Sequence, residues 1–264
     1  MKTFTDQLGT LHQFDNTPKR IVSLVPSQTE LLYDLGLEDS IIGITKFCVH
    51  PVHFKLIKKI VGGTKQVKID KIKELRPDII IANKEENTKE MVKELSWICP
   101  VWVTNIITVD DNLQMIADFG QLFNKRTEAQ KWLDKLNFAY KDFQHFIKDQ
   151  PIKKAAYFIW ANPYMVAGKE TFINELLKLN HFQNIYEEKG RYPEIELKRI
   201  RLEGDPDLVF LSSEPFPFKD EHAFEIGRFT HHAKTIFVDG EYFSWYGSRL
   251  LKAFEYFKKL HQKL

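Results

Sequence analysis

Four short stretches carry residue types that could do chemistry. Cys48-Val49-His50 sets a thiol and an imidazole two residues apart, and alternate residues of an extended segment point the same way. They could share one face as nucleophile and base, or as two metal ligands. Glu85-Glu86 ends an unbroken apolar run, Ile79-Ile80-Ile81-Ala82, and offers two carboxylates as a base or for a cation. The same pair ahead of a helix also suits the positive end of the helix dipole. Gly62-Gly63-Thr64 is a turn signal, but no phosphate-loop Lys-Ser/Thr pair follows it at the required spacing. His231-His232, if extended, turns its rings to opposite sides and reads as solvated surface. A metal site wants three or four ligands, and no other Cys/His cluster has the spacing to complete one, so no metal and no intrinsic cofactor are expected.

Positioning such groups takes a rigid scaffold, and the apolar pattern around them supplies one. Strands are expected at Arg20–Val25, Ile41–Thr45, Asp78–Ala82 and Val101–Thr104. Helices are expected at Ser27–Gly36, where Ser27 and Glu30 spell a capping box, at Ile69–Leu75, and at Asn87–Ser96 with Asn87 as cap and Glu90 three residues on. From Val109 to Gln150 the pattern is helical throughout. Thr127 with Gln130 resembles another capping box, and apolar positions then recur at three- and four-residue steps, which predicts a helix over about 127–149, roughly 35 Å long at 1.5 Å per residue. Alternation resumes with strands at Ala155–Trp160, Asp207–Ser212 and Thr235–Asp239 and helices at Thr171–Leu179, Leu197–Leu202 and Ser248–Leu260. Near-continuous apolar strands separated by helices predict an α/β fold of two lobes, each with a mainly parallel sheet flanked by helices, joined by one long helix. The boundaries are 1–108 for the first lobe, 109–150 for the helical connection and 151–264 for the second lobe.

In open parallel sheets ligands bind beyond the carboxyl ends of the strands. In the first half those tips carry Gln28 and Thr29, then Cys48 and His50, Thr64, and Lys84, Glu85 and Glu86. In the second half they carry Trp160, Asn162 and Tyr164, then Glu214 and Phe216, then Trp245, Tyr246 and Arg249; Tyr192 completes the candidates. Aromatic walls with a few charged anchors are the makeup of a small-molecule cleft. The chain holds twenty-one Phe, nine Tyr and five Trp, enough for both a core and such a wall. Its 38 basic and 36 acidic residues leave a net charge of +2, which draws it neither to nucleic acid nor to a membrane surface. No apolar run approaches the roughly 18 residues a spanning helix needs. The first residues, MKTFTDQLGTLHQFDN, lack a signal-peptide core, so a cytoplasmic location is expected, or a periplasmic or lipid-anchored one if a leader has been removed. Cys48 and Cys99 make no disulfide framework.

The run PKRIVSLVPSQTELLYDLGLEDSIIGIT, then VGGT and IDKIKELRPDIIIAN, then the long helix, then AGKETFINELL and DPDLVFL, resembles the substrate-binding proteins of ABC importers for cobalamin and ferric siderophores. These are helical-backbone metal receptors of the class III periplasmic-binding-protein fold. The resemblance runs from about Pro18 to the C-terminus. It implies two α/β lobes, a rigid helix joining them, a ligand clamped between them, and no catalysis. By motif position Trp160, Asn162 and Tyr164 would line the second lobe's wall, and Thr64 and Lys65 replace an aromatic that a cobalamin binder carries. The family docks on its permease through one acid per lobe. Asp70 fits the first; Lys198 or Arg199 stands at the second, with Glu194 and Glu196 nearby.

The expected protein is a monomeric binder of a metal chelate or corrinoid, cobalamin or ferric siderophore in class, serving an ABC permease. The alternatives are a cytoplasmic storage, sensing or delivery relative, an enzyme using Cys48/His50 or Glu85/Glu86 with Arg249 as anion anchor, and a protein-interaction module.

Overall fold

Runs of Ile and Val become the strands that their pattern predicts, with boundaries shifted by a residue or two. The computed structural model describes residues 1–264. The chain forms two compact units, Met1–Asn137 with Tyr246–Leu250, and Phe138–Trp245 with Leu251–Leu264. No helix is long and apolar enough to cross a membrane.

The first unit opens with a hairpin of β1 (Lys2–Thr5) and β2 (Leu11–Phe14). Its parallel sheet comprises β3 (Ile21–Ser23), β4 (Ile41–Thr45), β5 (Lys59–Gly62), β6 (Ile79–Asn83) and β7 (Val101–Thr104), in the order β5-β4-β3-β6-β7. The helices are α1 (Pro26–Asp34), α2 (Phe54–Ile57), α3 (Ile69–Leu75), α4 (Lys89–Leu95) and α5 (Val109–Leu122). The long helix α6 (Arg126–Ile147) follows, about 33 Å by its helical rise, and the division between units falls within it. Adjacent residues Ile21 and Val22, and Ile79, Ile80, Ile81 and Ala82, are all sealed from solvent, because helices cover both faces of the sheet.

The second unit's sheet holds β8 (Lys153–Trp160), β10 (Phe182–Asn184), β11 (Leu208–Ser212) and β12 (Lys234–Val238) in the order β10-β8-β11-β12, all parallel. A short β9 (Met165–Val166) pairs antiparallel with β8. Around it lie α7 (Phe172–Leu179), α8 (Ile200–Glu203), α9 (Asp220–Gly227), α10 (Gly240–Ser244) and α11 (Leu250–His261). Val209, Leu211, Ala156 and Phe158 of the central strands share a core with Val166, Tyr186 and Ile226.

The two Pro-Asp signals have the same structural work. The Asp78 carboxylate accepts from the N–H groups of Lys19 and Arg20 at 2.8 and 3.0 Å, and its own N–H donates to Arg20. Asp207 does the same for Lys154, accepting its N–H at 2.7 Å and donating to its carbonyl. Each Asp therefore clamps the start of the neighbouring strand, where N–H groups have no ladder partner.

Three cap assignments shift. α1 begins at Pro26, whose missing N–H suits a first helical position, so Ser27 lies inside the helix and caps nothing. Thr88, not Asn87, caps α4, accepting from the Met91 N–H. α6 starts at Arg126, which puts Thr127 within its first turn. The β1–β2 hairpin, β5 and β10 are strands that periodicity did not reveal. They are short, and the hairpin is mostly exposed, so no apolar alternation marks it.

Candidate functional site

Both sheets reverse their strand order once, and ligands in such folds gather at that switch point, where neighbouring loops diverge. In the first unit the switch lies between β3 and β6, and in the second between β8 and β11. The tips so selected are Leu24–Gln28 with Lys84–Asn87, and Ala161–Tyr164 with Ser213–Phe216.

In the first unit the β6 tip is wound by two asparagines. Asn83 Oδ1 accepts from the N–H groups of Glu85 and Glu86 at 2.8 and 3.2 Å, and Asn87 Oδ1 accepts from the Asn83 N–H at 2.8 Å. Asn87 also donates to the Thr64 carbonyl, and Lys65 Nζ donates to the Glu85 carbonyl. Lys84 stays exposed, while Glu85, Glu86, His50 and Thr64 are half-buried. Behind this tip, Gln28 Nε2 donates to Thr104 Oγ1 and, at 3.1 Å, to the Tyr246 hydroxyl. Burial pushes the Tyr246 hydroxyl up, and the charges of Glu86 and Glu85 raise it further, against the hydrogen bonds from Gln28 and Ser27. The two carboxylates and the tyrosine thus share one neighbourhood.

Several residues expected on this rim are instead internal. Gln28 and Thr29 are fully buried; Thr29 Oγ1 returns to the Val25 carbonyl at 2.9 Å and lies 3.1 Å from Cys48 Sγ. Cys48 is fully buried, and burial raises its thiol despite the Thr29 and Thr45 hydroxyls. Burial holds this thiol in its protonated form and away from solvent, which disfavours attack by a thiolate. Arg249, the anion anchor of the enzyme alternative and a ligand candidate, is buried and bidentate to Glu30 at 2.7 and 2.9 Å. Its neighbours Gly247 and Ser248 are stitched to the same unit, the former by Asn112 Oδ1 at 2.6 Å and the latter to Asp34.

The second unit's tips are more open. Trp160, 40% exposed, meets the edge of Phe216 at 5.5 Å between ring centres. Phe216 continues to Phe218 at 4.9 Å and to His222 at 5.1 Å. Asn162 is exposed at the turn with φ of +62°, a value that asparagine tolerates. Tyr164 donates to Glu225 at 2.7 Å, and its hydroxyl is raised by burial and by that carboxylate. Tyr192 is half-buried. Glu214 accepts from Trp245 Nε1 at 2.8 Å and Ser244 Oγ at 3.0 Å. Burial holds its carboxyl above the usual range, and Glu241 and Asp239 add to the rise against these two donors. Gly240 permits this packing, since a Cβ there would lie 2.4 Å from Ser212 Oγ and 2.7 Å from Glu214 Cγ. The sequence offered no sign of Phe218, His222 and Glu225; they lie on α9 or the loop before it, and only packing brings them to Trp160 and Tyr164.

The docking candidates sit elsewhere. Asp70, with its side chain 94% exposed, is in the first turn of α3 and 3.7 Å from Lys73. Glu196, Lys198 and Arg199 are exposed before α8, and Arg199 lies 3.7 Å from Glu203.

Residues 21–228 match the family described as periplasmic binding protein. An uncharacterized ABC transporter substrate-binding lipoprotein of Bacillus subtilis is 26% identical over 250 residues, spanning 90% of this chain and 78% of that protein. The periplasmic vitamin B12 binding protein of Vibrio cholerae superposes with a TM-score of 0.79 at 21% identity, covering 94% of this chain and 99% of that one. A periplasmic heme-binding protein from Roseiflexus sp. RS-1 gives 0.81 at 15% identity, covering 93% and 98%. The last two likenesses concern the fold. A match over residues 21–228, most of the chain, makes it a member of the periplasmic binding protein family.

Proposed function

We propose that this protein is the substrate-binding component of an ABC importer, and that it holds a metal chelate or corrinoid-like ligand without transforming it. The observation that carries the reading is the aromatic cluster at the second unit's switch point, where half-exposed Trp160 meets the edge of Phe216, itself edge-on to Phe218 and His222. A flat macrocycle or aryl chelate stacks on such a surface. Within the same unit, Asn162, Tyr164 and Tyr192 supply polar anchors; on the first unit, Lys84, Glu85 and Glu86 mark that unit's own tip. Vitamin B12 and heme, in the names of structures with this fold, are metal complexes of that shape. The burial of Cys48 and the Glu30 partner of Arg249 argue against an enzyme built on those residues.

Docking on a permease would use Asp70 and Glu196. Glu196 is exposed, as are Glu194, Lys198 and Arg199 beside it, and Arg199 lies 3.7 Å from Glu203. The lipoprotein and periplasmic relatives support a place outside the cytoplasm.

Titration of tryptophan fluorescence with hydroxocobalamin, hemin and several ferric chelates tests the reading. Saturable quenching by one of them, with the ligand recovered unchanged and the response lost in Trp160→Ala, is expected. No response to any of them would sink the assignment.

A further inference from the structure

At the amino end of the second unit's sheet, away from the tips just described, Asp205, His231 and His232 converge. One ligand atom from each lies within 4.8 Å of the others. The register explains why. Leu208 pairs with Lys234 in parallel, so Asp205 and His231, each three residues earlier, enter neighbouring strands side by side. The two histidines sit in a bend rather than an extended segment, so their rings do not diverge as strand alternation expects; they lie 5.9 Å apart at 78°.

The arrangement has the parts of a metal centre. His232 Nδ1 faces Asp205 Oδ2 at 3.9 Å, and its other nitrogen, Nε2, lies 2.9 Å from Asp207 Oδ1. Metal-binding histidines commonly donate their second N–H to a carboxylate, which fixes the tautomer and aims the free nitrogen. Asp205 Oδ1 is sealed from solvent and has no hydrogen-bond partner. Asp205 also holds a left-handed backbone, φ +48°, just before β11.

We propose that Asp205, His231 and His232 bind a divalent transition-metal ion, with Asp207 positioning His232. Two imidazoles and one carboxylate suit zinc, copper or nickel and not magnesium or calcium, which take all-oxygen shells. Bonds of about 2.0–2.1 Å in a tetrahedral site place ligand atoms about 3.4 Å apart, so the exposed imidazoles need close on half-buried Asp205 by only about an ångström. Water fills the fourth position. The site clips the entries of β11 and β12 together and does not depend on the ligand assigned to the tips.

Calorimetric titration of the full, tag-free chain with zinc chloride tests this. One zinc per chain is expected, with no heat from magnesium or calcium. Cobalt in place of zinc should give the visible absorption of a tetrahedral ion. His232→Ala and Asp205→Asn should abolish the cobalt signal, and Asp207→Asn should weaken zinc by about 10–100-fold. His145→Ala, at an exposed histidine of α6, should change nothing. Absence of zinc uptake would overturn the proposal, as would an isotherm that survives both His232→Ala and Asp205→Asn in proteins with unchanged circular dichroism.

Discussion

The pairing of Glu30 with Arg249 makes a sharp prediction, because the same arginine was a candidate ligand anchor. Its guanidinium is bidentate to the carboxylate at 2.7 and 2.9 Å, and the two side chains are 10% and 6% exposed. Removing one partner breaks a bidentate bond to a buried charge, which costs about 3–5 kcal/mol. Glu30→Leu and Arg249→Met should each lose that much, which lowers a urea midpoint by roughly 1–2.5 M at a slope near 2–3 kcal/mol per M. The double variant removes both charges and keeps apolar volume, so its stability should return to within about 1–2 kcal/mol of the parent. The cycle is measured by urea unfolding followed by far-UV circular dichroism. The same double variant should keep its ligand-induced tryptophan quenching. Additive losses in the double variant would refute the coupling. A stable double variant that no longer binds would show that Arg249 serves the ligand after all.

Three further outcomes follow from local geometry. Asp6 accepts from Leu8, Thr10 and Val103 N–H groups and meets His12; although burial alone would raise its carboxyl, these bonds outweigh burial and hold it below the usual range. Its contribution is present above the unfolded value of about 3.9 and is lost as pH falls through the lower folded value. Asp6→Asn should therefore cost about 1.5–3 kcal/mol at pH 7, with the cost shrinking progressively as pH is lowered below about 4, read from urea midpoints at each pH. Cys48 is sealed and Cys99 is pushed up to about 12 by burial and Asp78, so neither thiol should react with a disulfide reagent until the chain unfolds. Fast release of one equivalent from native Cys48 would revive the thiol chemistry. Gly240→Ala should cost about 1–3 kcal/mol by overpacking Ser212 and Glu214, and should weaken ligand quenching by displacing the neighbouring tip; unaltered stability and binding would contradict the close packing.

The sequence alone determined the long, strongly patterned elements and their layering, and left the short ones (the β1–β2 hairpin, β5, β9, β10, α2, α9 and α10) unseen. Ile79–Ala82 and Leu208–Leu211 announce buried parallel strands because every residue is apolar, and the three- and four-residue steps after Thr127 announce the long helix; both signals are local. It also located the tips, because a strand's end shows as a break in polarity. Only tertiary structure decided which polar residues at those breaks face solvent. Cys48 is sealed by Thr29 and Thr45, and Arg249 is neutralised by a glutamate 219 residues away, a partner that no local pattern names. Tyr246–Leu250, read as part of the second lobe, belongs to the first unit because Asn112, Asp34 and Glu30 hold it there. Asp205 meets His231 and His232 only because two strands distant in sequence run parallel in that register. Burial and charge pairing are set by long-range neighbours, whereas periodicity is set by the chain's own geometry.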